Sequence, residues 1–258
     1  MSFETTGTEE EFLQEYKKQQ QKYPPFAFTA DIVLLTIRRG KLCALLVQRG
    51  AHPEKGKWAL PGGFVGINES AEQAAMRELA EETGVELSTA HIEQLKTYST
   101  PNRDPRMRVV STAFLALIPY AELPILKAGD DAAQAHFFPV YDILEETDEN
   151  IPLAFDHLSI LSDGVDRIVN KLEYTNLAAT FLEEPFTIAD LRRVYEEVWN
   201  TKIHAANFRR KILSADNVIK EVPGKGESVF EGGRTAQLYK RGESTLMMPP
   251  IMKRDSGF

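Results

Sequence analysis

Gly63-Phe-Val-Gly-Ile-Asn-Glu69-Ser-Ala-Glu-Gln-Ala-Ala-Met-Arg77-Glu78-Leu-Ala-Glu81-Glu82-Thr-Gly84-Val85 is the stretch on which the fold and the chemistry turn. Its centre predicts a helix from about Ser70 to Thr83. Ser70 suits the N-cap, where a hydroxyl accepts an orphan backbone N–H, and Gly84 suits the stop, where the chain turns left-handed. At about 100° per residue, Glu81 lies about 60° to one side of Glu78 and Glu82 about 40° to the other, so three carboxylates share one face. Like charges so spaced repel by a few tenths of a kcal/mol per pair. An acidic face is most often plain solvated surface; a cluster this dense asks for a cation. Hard oxygen donors suit Mg²⁺ or Mn²⁺, and such ions bind phosphates.

Upstream, Asp31-Ile-Val-Leu-Leu-Thr-Ile37 and Leu42-Cys-Ala-Leu-Leu-Val-Gln48 flank Arg38-Arg39-Gly40-Lys41 and predict two buried strands joined by a tight turn. A Gly/Pro-rich loop follows, from Pro53 to Gly63. Further strands are expected at 92–98, 108–117 and 135–139, which gives the first region an α+β character. Residues 4–22, rich in Glu, Gln and Lys, favour a short surface helix ended by Pro24-Pro25. Cys43, the one cysteine, forms no internal disulfide and suits core packing. Trp58 is also assigned to the core, and His157 to capping the next helix or satisfying a carbonyl.

The second region opens with a helix near 157–173. Three short helices then follow at Leu177–Phe181, Ile188–Trp199 and Ala205–Leu213, with Thr187 and Asp190 fitted to the first turn of the middle one. Asn217–Val222 and Ala236–Lys240 predict a hairpin around a glycine loop. Three helices and a hairpin are the order of a winged helix, whose third helix enters the DNA major groove while the hairpin touches the backbone. That helix carries Asn207, Arg209, Arg210 and Lys211, with Phe208, Ile212 and Leu213 assigned to the core. The loop carries Lys225 and Arg234. The last dozen residues read as a loose tail.

Charge supports this division. The 258 residues carry a net −8, yet residues 1–158 hold 15 basic and 24 acidic side chains while 159–258 hold 15 and 14. Within 202–241 nine basic residues face four acidic ones, a footprint suited to nucleic acid. The apolar run Ala113–Ile118 is far below the roughly 18 residues of a membrane span, and the acidic N-terminus is unlike a signal peptide, so a cytoplasmic protein without a membrane partner is expected.

Taken whole, the opening stretch resembles the Nudix box, G-x5-E-x7-R-E-U-x-E-E-x-G-U with U aliphatic. Gly63, Glu69, Arg77, Glu78, Leu79, Glu81, Glu82, Gly84 and Val85 all fit it. The resemblance implies an α+β fold, a mixed sheet in an α/β/α sandwich, and cleavage of a nucleoside diphosphate linked to another moiety. It makes Glu78, Glu81 and Glu82 catalytic residues that hold Mg²⁺ or Mn²⁺, with the Gly63 carbonyl as a further ligand and Glu69 paired to Arg77 as a brace. Arg49, Arg103 and Arg106 become candidate phosphate or ribose contacts, since a guanidinium offers two donors to phosphate oxygens; a surface ion pair is the alternative for each.

Arg103-Asp-Pro-Arg106 and Ala154-Phe-Asp-His157, followed by Asn207-Phe-Arg-Arg-Lys211 and Gly232-Gly-Arg234, make residues 25–241 similar to the Nudix-related transcriptional regulators of NAD metabolism. That resemblance implies a sensor of ADP-ribose or a related NAD metabolite, acting as a homodimer on double-stranded DNA. Many such regulators carry eroded boxes, whereas this one is intact, which leaves hydrolysis of the effector open. A dedicated ADP-ribose pyrophosphatase with an accessory C-terminal domain is the alternative, and a protein-binding scaffold a third. The expected organisation is an N-terminal helical extension (1–24), a Nudix domain (25–158), a winged helix with its connecting helix (159–241) and a tail (242–258).

Overall fold

A computed structural model describes residues 25–87, 91–119, 132–145, 151–230 and 232–253. The helix expected within residues 4–22 lies outside them. Strands β1 (Ala27–Arg38) and β2 (Lys41–Arg49) form the expected hairpin, paired from Leu35↔Ala44 to Arg38↔Lys41. Gly40 at the turn has φ +70°, a left-handed conformation that favours glycine. Next come two short strands within the loop expected from the sequence, β3 (Trp58–Ala59) and β4 (Gly62–Phe64), then helix α1 (Ala71–Thr83). Strands β5 (His91–Tyr98), β6 (Val109–Leu117) and β7 (Ala132–Pro139) complete a seven-stranded sheet, followed by a short helix α2 (Val140–Leu144). The path β3-β2-β1-β6-β5 carries β4 on β1 and β7 on β2, and β1 runs parallel to β6 while its other partners are antiparallel.

The near-continuous apolar character of β1 and β2 has a direct cause: both faces of the sheet are covered. Ile32, Leu34, Cys43 and Leu45 pack toward Ala74, Ala75 and Leu79 of α1. Val33, Leu35, Ala44 and Leu46 join the opposite core with Ile160, Leu161, Val165 and Ile168 of helix α3 (His157–Lys171). This is the expected mixed-sheet sandwich. Contact between α3 and the sheet is intimate, since a Cβ added at Gly164 would lie 2.9 Å from Val33 Cγ1. Trp58 and Cys43 are both buried, as assigned, and burial pushes the Cys43 thiol up to about 11.

Beyond α3 come a 3₁₀ turn (Leu177–Phe181), β8 (Phe186–Thr187), α4 (Ile188–Trp199), α5 (Ala205–Ser214), β9 (Ile219–Ser228) and β10 (Gly232–Arg241), with sheet order β8-β10-β9. This is a winged helix. Its α4 starts on a capping box: Thr187 Oγ1 accepts from Asp190 N at 3.1 Å and Asp190 Oδ2 from Thr187 N at 2.9 Å. The wing strands run longer than the sequence predicts, so Gly224, Lys225 and Gly226 sit within β9 rather than in a loop.

Two further expectations are corrected. Leu213 is 47% exposed, because its neighbour Ile212 already faces the core. Nor is the chain after β10 loose along its described length: Met247 and Ile251 are buried, and Met247 N and Ile251 N donate to Tyr174 O and Glu173 O. The apolar cluster of α3 continues without a break into Tyr195, Val198, Trp199 and Phe208. Tyr195 Oη donates to Leu172 O (3.0 Å), Trp199 Nε1 to Val169 O (3.1 Å), and Arg193 Nη2 to Gly40 O (2.9 Å). Among the described residues no helix is long and apolar enough to cross a membrane.

Candidate functional site

Helix α1 is fixed at both ends by its own sequence. Ser70 and Gln73 form a capping box, and Gly84, at φ 75°, closes the helix with its N–H on Ala80 O. Ala74, Ala75 and Leu79 press one stripe onto the sheet, which turns Arg77, Glu78, Glu81 and Glu82 toward β4 and solvent.

Arg77 organises the acidic face. Its Nε and Nη2 reach Glu69 Oε2 and Oε1 at 3.0 and 2.8 Å, and its Nη1 reaches Glu78 Oε1 and Glu81 Oε2 at 2.9 Å each. Hydrogen bonding from Arg77, helped by Gly66 N–H, brings the Glu69 carboxyl down to about 2. Glu69 raises the Arg77 pKa in turn, with Glu78 and Glu81 adding to it. The guanidinium thus ties the loop to the helix and lessens the carboxylate repulsion.

Glu82 stands apart. Its carboxylate accepts Gly62 N–H at 3.1 Å; among the described residues no cation forms an ion pair with it, although the Arg49 charge acts on it from farther off. Burial raises its pKa to about 8; the Gly62 N–H opposes the shift, while the charges of Glu78 and Asp31 add to it. Glycine at 63 lets the Glu78 carboxylate lie against the backbone, since a Cβ there would push that carboxylate aside. Among the described residues no three His, Cys, Asp or Glu side chains are gathered as a metal site, since Glu81 is 60% exposed and turned to Arg77. The donor chemistry still fits a hard divalent cation: Glu78 and Glu82 both reach the Gly62–Gly63 backbone, and a buried carboxylate without a counterion is costly until one arrives.

These groups line a pocket of about 360 Å³ with Asp31, Gln48, Arg49, Asp104, Arg106, Phe155 and His157. Arg49 stacks 4.8 Å over the Phe155 ring and donates from Nε to Pro53 O, and Arg106 lies 5.5 Å over Phe64 while forking onto Asp104. Arg103 is different. Expected among the phosphate contacts, it does not line this pocket: its side chain is 6% exposed and forks onto Asp156 at 2.9 and 2.6 Å. His157 neither caps α3 nor meets a carbonyl; its Nδ1 accepts the Leu60 N–H at 2.9 Å.

On the winged helix, α5 buries Phe208 and Ile212 and turns Arg209 and Arg210 to solvent, with Asn207 and Lys211 half-buried. Lys225 is exposed on β9. Arg234 lies on β10, its side chain outside the described residues.

Residues 25–157 match the NUDIX domain and residues 178–240 the NrtR DNA-binding winged helix domain. The chain belongs to the NUDIX family. It is 32% identical, over 91% of its length and 88% of the relative's, to the ADPR responsive transcriptional repressor NtrR of Acinetobacter baylyi. The crystal structure of Shewanella oneidensis NrtR complexed with a 27mer DNA is 34% identical with a TM-score of 0.72, covering 87% of this chain and 99% of that one. The NUDIX domain of the same Shewanella protein, in cocrystals with ADP ribose, is 35% identical with a TM-score of 0.55, covering 63% and 99%.

The NUDIX pocket also contains what the sequence did not reveal. Asp31 reads as one polar position in a buried strand, and only the pairing of β1 with β4, Asp31↔Gly62, sets it beside the box. Phe155 holds φ +53°, strained for an aromatic residue, and thereby presents its ring to Arg49. An aromatic followed by Asp-His at a helix start was the available signal.

Proposed function

We propose that this chain is a transcriptional regulator that binds DNA through its winged helix and senses ADP-ribose in its NUDIX pocket, with Mg²⁺-dependent hydrolysis retained. The observation that carries it is the union, through one unbroken apolar core along α3, of a nucleotide-sized pocket and an exposed basic helix. The relatives' DNA and ADP-ribose complexes supply the identity of both ligands. Arg49 and Arg106 bind the pyrophosphate. Glu78, Glu82 and the Gly63 carbonyl hold the cation, with Glu81 joining when Arg77 releases it, and Arg77 with Glu69 keeps the loop in place. Mg²⁺ or Mn²⁺ held there would supply charge neutralisation for the pyrophosphate and a more acidic water for attack at phosphorus.

Arg209, Arg210, Asn207 and Lys211 enter the major groove, and Lys225 and Arg234 meet phosphates at the wing. A 27-mer exceeds what one winged helix covers, which supports a homodimer on two half-sites, working in the cytoplasm. The intact box favours a second reading, a dedicated ADP-ribose pyrophosphatase. Fluorescence anisotropy of labelled DNA from the gene's own upstream region, with and without ADP-ribose and with AMP release followed in parallel, separates the two. Salt-sensitive binding that ADP-ribose reverses supports the regulator; no binding at low salt with rapid AMP production supports the enzyme.

A further inference from the structure

His157 and Asp31 face each other across the floor of the NUDIX pocket, and each side chain is only 8% exposed. Because His157 Nδ1 accepts the Leu60 N–H, the proton of a neutral ring belongs on Nε2. Burial lowers the pKa of this imidazole and keeps it neutral. Nε2–H points toward Asp31 Oδ1, but the separation is 4.0 Å, beyond a hydrogen bond. Asp31 Oδ2 is already satisfied by Ser111 Oγ, which leaves Oδ1, beside Gly62, as the remaining acceptor of a side chain that lines the pocket.

A buried donor and a buried acceptor held apart in this way define the group that fits between them. An oxygen about 2.8 Å from each would subtend about 90°, about 20° tighter than the tetrahedral angle between a hydroxyl's own donor and acceptor directions and within the bend that hydrogen bonds tolerate. An ionised phosphate oxygen cannot donate to Asp31, and an ammonium cannot accept from Nε2–H. The pair is also held stiffly. Arg103 forks onto Asp156, next to His157, and Gly164 seats α3 against Val33, two residues from Asp31.

We infer that Asp31 and His157 together read one ribose hydroxyl of the ligand, His157 Nε2–H donating to it and Asp31 Oδ1 accepting from it. This rests on the ADP-ribose reading and assigns both residues to ligand specificity, a role distinct from holding the cation or the pyrophosphate. A site built to bond a hydroxyl rejects the analogue that lacks it, because both buried partners then lose their bonds.

The test is calorimetric titration of the full chain in Ca²⁺ buffer, with chromatography confirming that the ligand stays intact. The probes are ADP-ribose and two deoxy analogues, one lacking a hydroxyl on the adenosine ribose and one on the terminal ribose. The unmodified protein should prefer ADP-ribose over one analogue by about tenfold or more, which also tells which ribose is read. His157→Asn places an acceptor near Nδ1 and removes the Nε2 donor; it should melt close to the unmodified protein and bind ADP-ribose and that analogue within about twofold of each other. His157→Gln places a donor near Nε2 and loses the Leu60 bond; it should keep the preference and melt lower. Equal binding of all three probes by the unmodified protein, as when a water fills the gap, overturns the assignment, and so does a preference that survives in His157→Asn. Failure of the unmodified protein to bind ADP-ribose at all overturns the sensor reading itself.

Discussion

Glu82 in α1 and Glu196 in α4 are both glutamates withdrawn from solvent, Glu82 in part and Glu196 almost wholly, and the molecule treats them in opposite ways. Glu196, whose side chain is 3% exposed, accepts Arg192 Nη1 at 3.0 Å and Ile203 N at 2.9 Å on one oxygen, with Arg193 and Lys202 at 3.7 and 3.8 Å from the other. Its neutralisation is internal, and it fixes the turn that launches α5. Glu82 is given one backbone N–H, two acidic neighbours whose charges raise its pKa, and only the more distant charge of Arg49 against them. A carboxylate surrounded by the protein's own cations is architecture. One desolvated beside other carboxylates waits for a charge from outside, and burial alone does not separate the two cases.

The largest effect expected from breaking this contrast is at the NUDIX end. Glu82→Gln should reduce metal-dependent release of AMP from ADP-ribose by about 100-fold or more, since several kcal/mol of charge stabilisation leave with the ligand. Its folding should not suffer. In metal-free protein the folded state keeps the Glu82 proton up to about pH 8 whereas the unfolded chain gives it up near 4.5, so stability present below pH 4.5 is lost as pH rises toward 8. Thermal melts in chelator should show that decline in the unmodified protein and a flatter profile in Glu82→Gln.

Glu196→Ala removes the acceptor of the Ile203 N–H and the partner of two half-buried arginines. It should cost about 1–3 kcal/mol of stability in a denaturant melt, the usual consequence of leaving a buried N–H without its acceptor. A smaller and more selective effect is expected on the surface. Arg209→Ala and Arg210→Ala should each weaken DNA binding by about tenfold. Each should also lower the slope of log affinity against log salt by about 1 where a phosphate contact is lost, with AMP release unchanged. If both variants bind DNA normally, α5 is not the reading helix.

Much of this was legible in the sequence because its causes are local. The two capping boxes, Ser70 with Gln73 and Thr187 with Asp190, depend on residues three apart, and the two-sided burial of β1 and β2 is written in their unbroken apolar runs. Glu69 and Arg77 pair within the same loop and helix. What escaped depends on contacts distant in sequence. Arg103 is claimed by Asp156, 53 residues on, and His157 by Leu60, 97 residues back. Periodicity cannot report such partners. Met247 and Ile251 are buried only because the chain after β10 returns to the end of α3, whose neighbours Glu173 and Tyr174 accept its N–H groups. The wing strands outran their apolar pattern since a hairpin is held by backbone pairing, which Gly226 keeps with Ala236 while Gly224 falls in the bulge between Val222 and Lys225.

The contrast between the two glutamates is tested most directly by titrating Mn²⁺ into the full chain near pH 7 in two buffers of different ionisation enthalpy. If Glu82 awaits the cation, the unmodified protein releases a proton as the ion binds, because a carboxyl held near 8 must ionise to ligate, and Glu82→Gln loses both the released proton and most of the affinity. Mn²⁺ binding of undiminished affinity in Glu82→Gln, with no proton released in either protein, would contradict it.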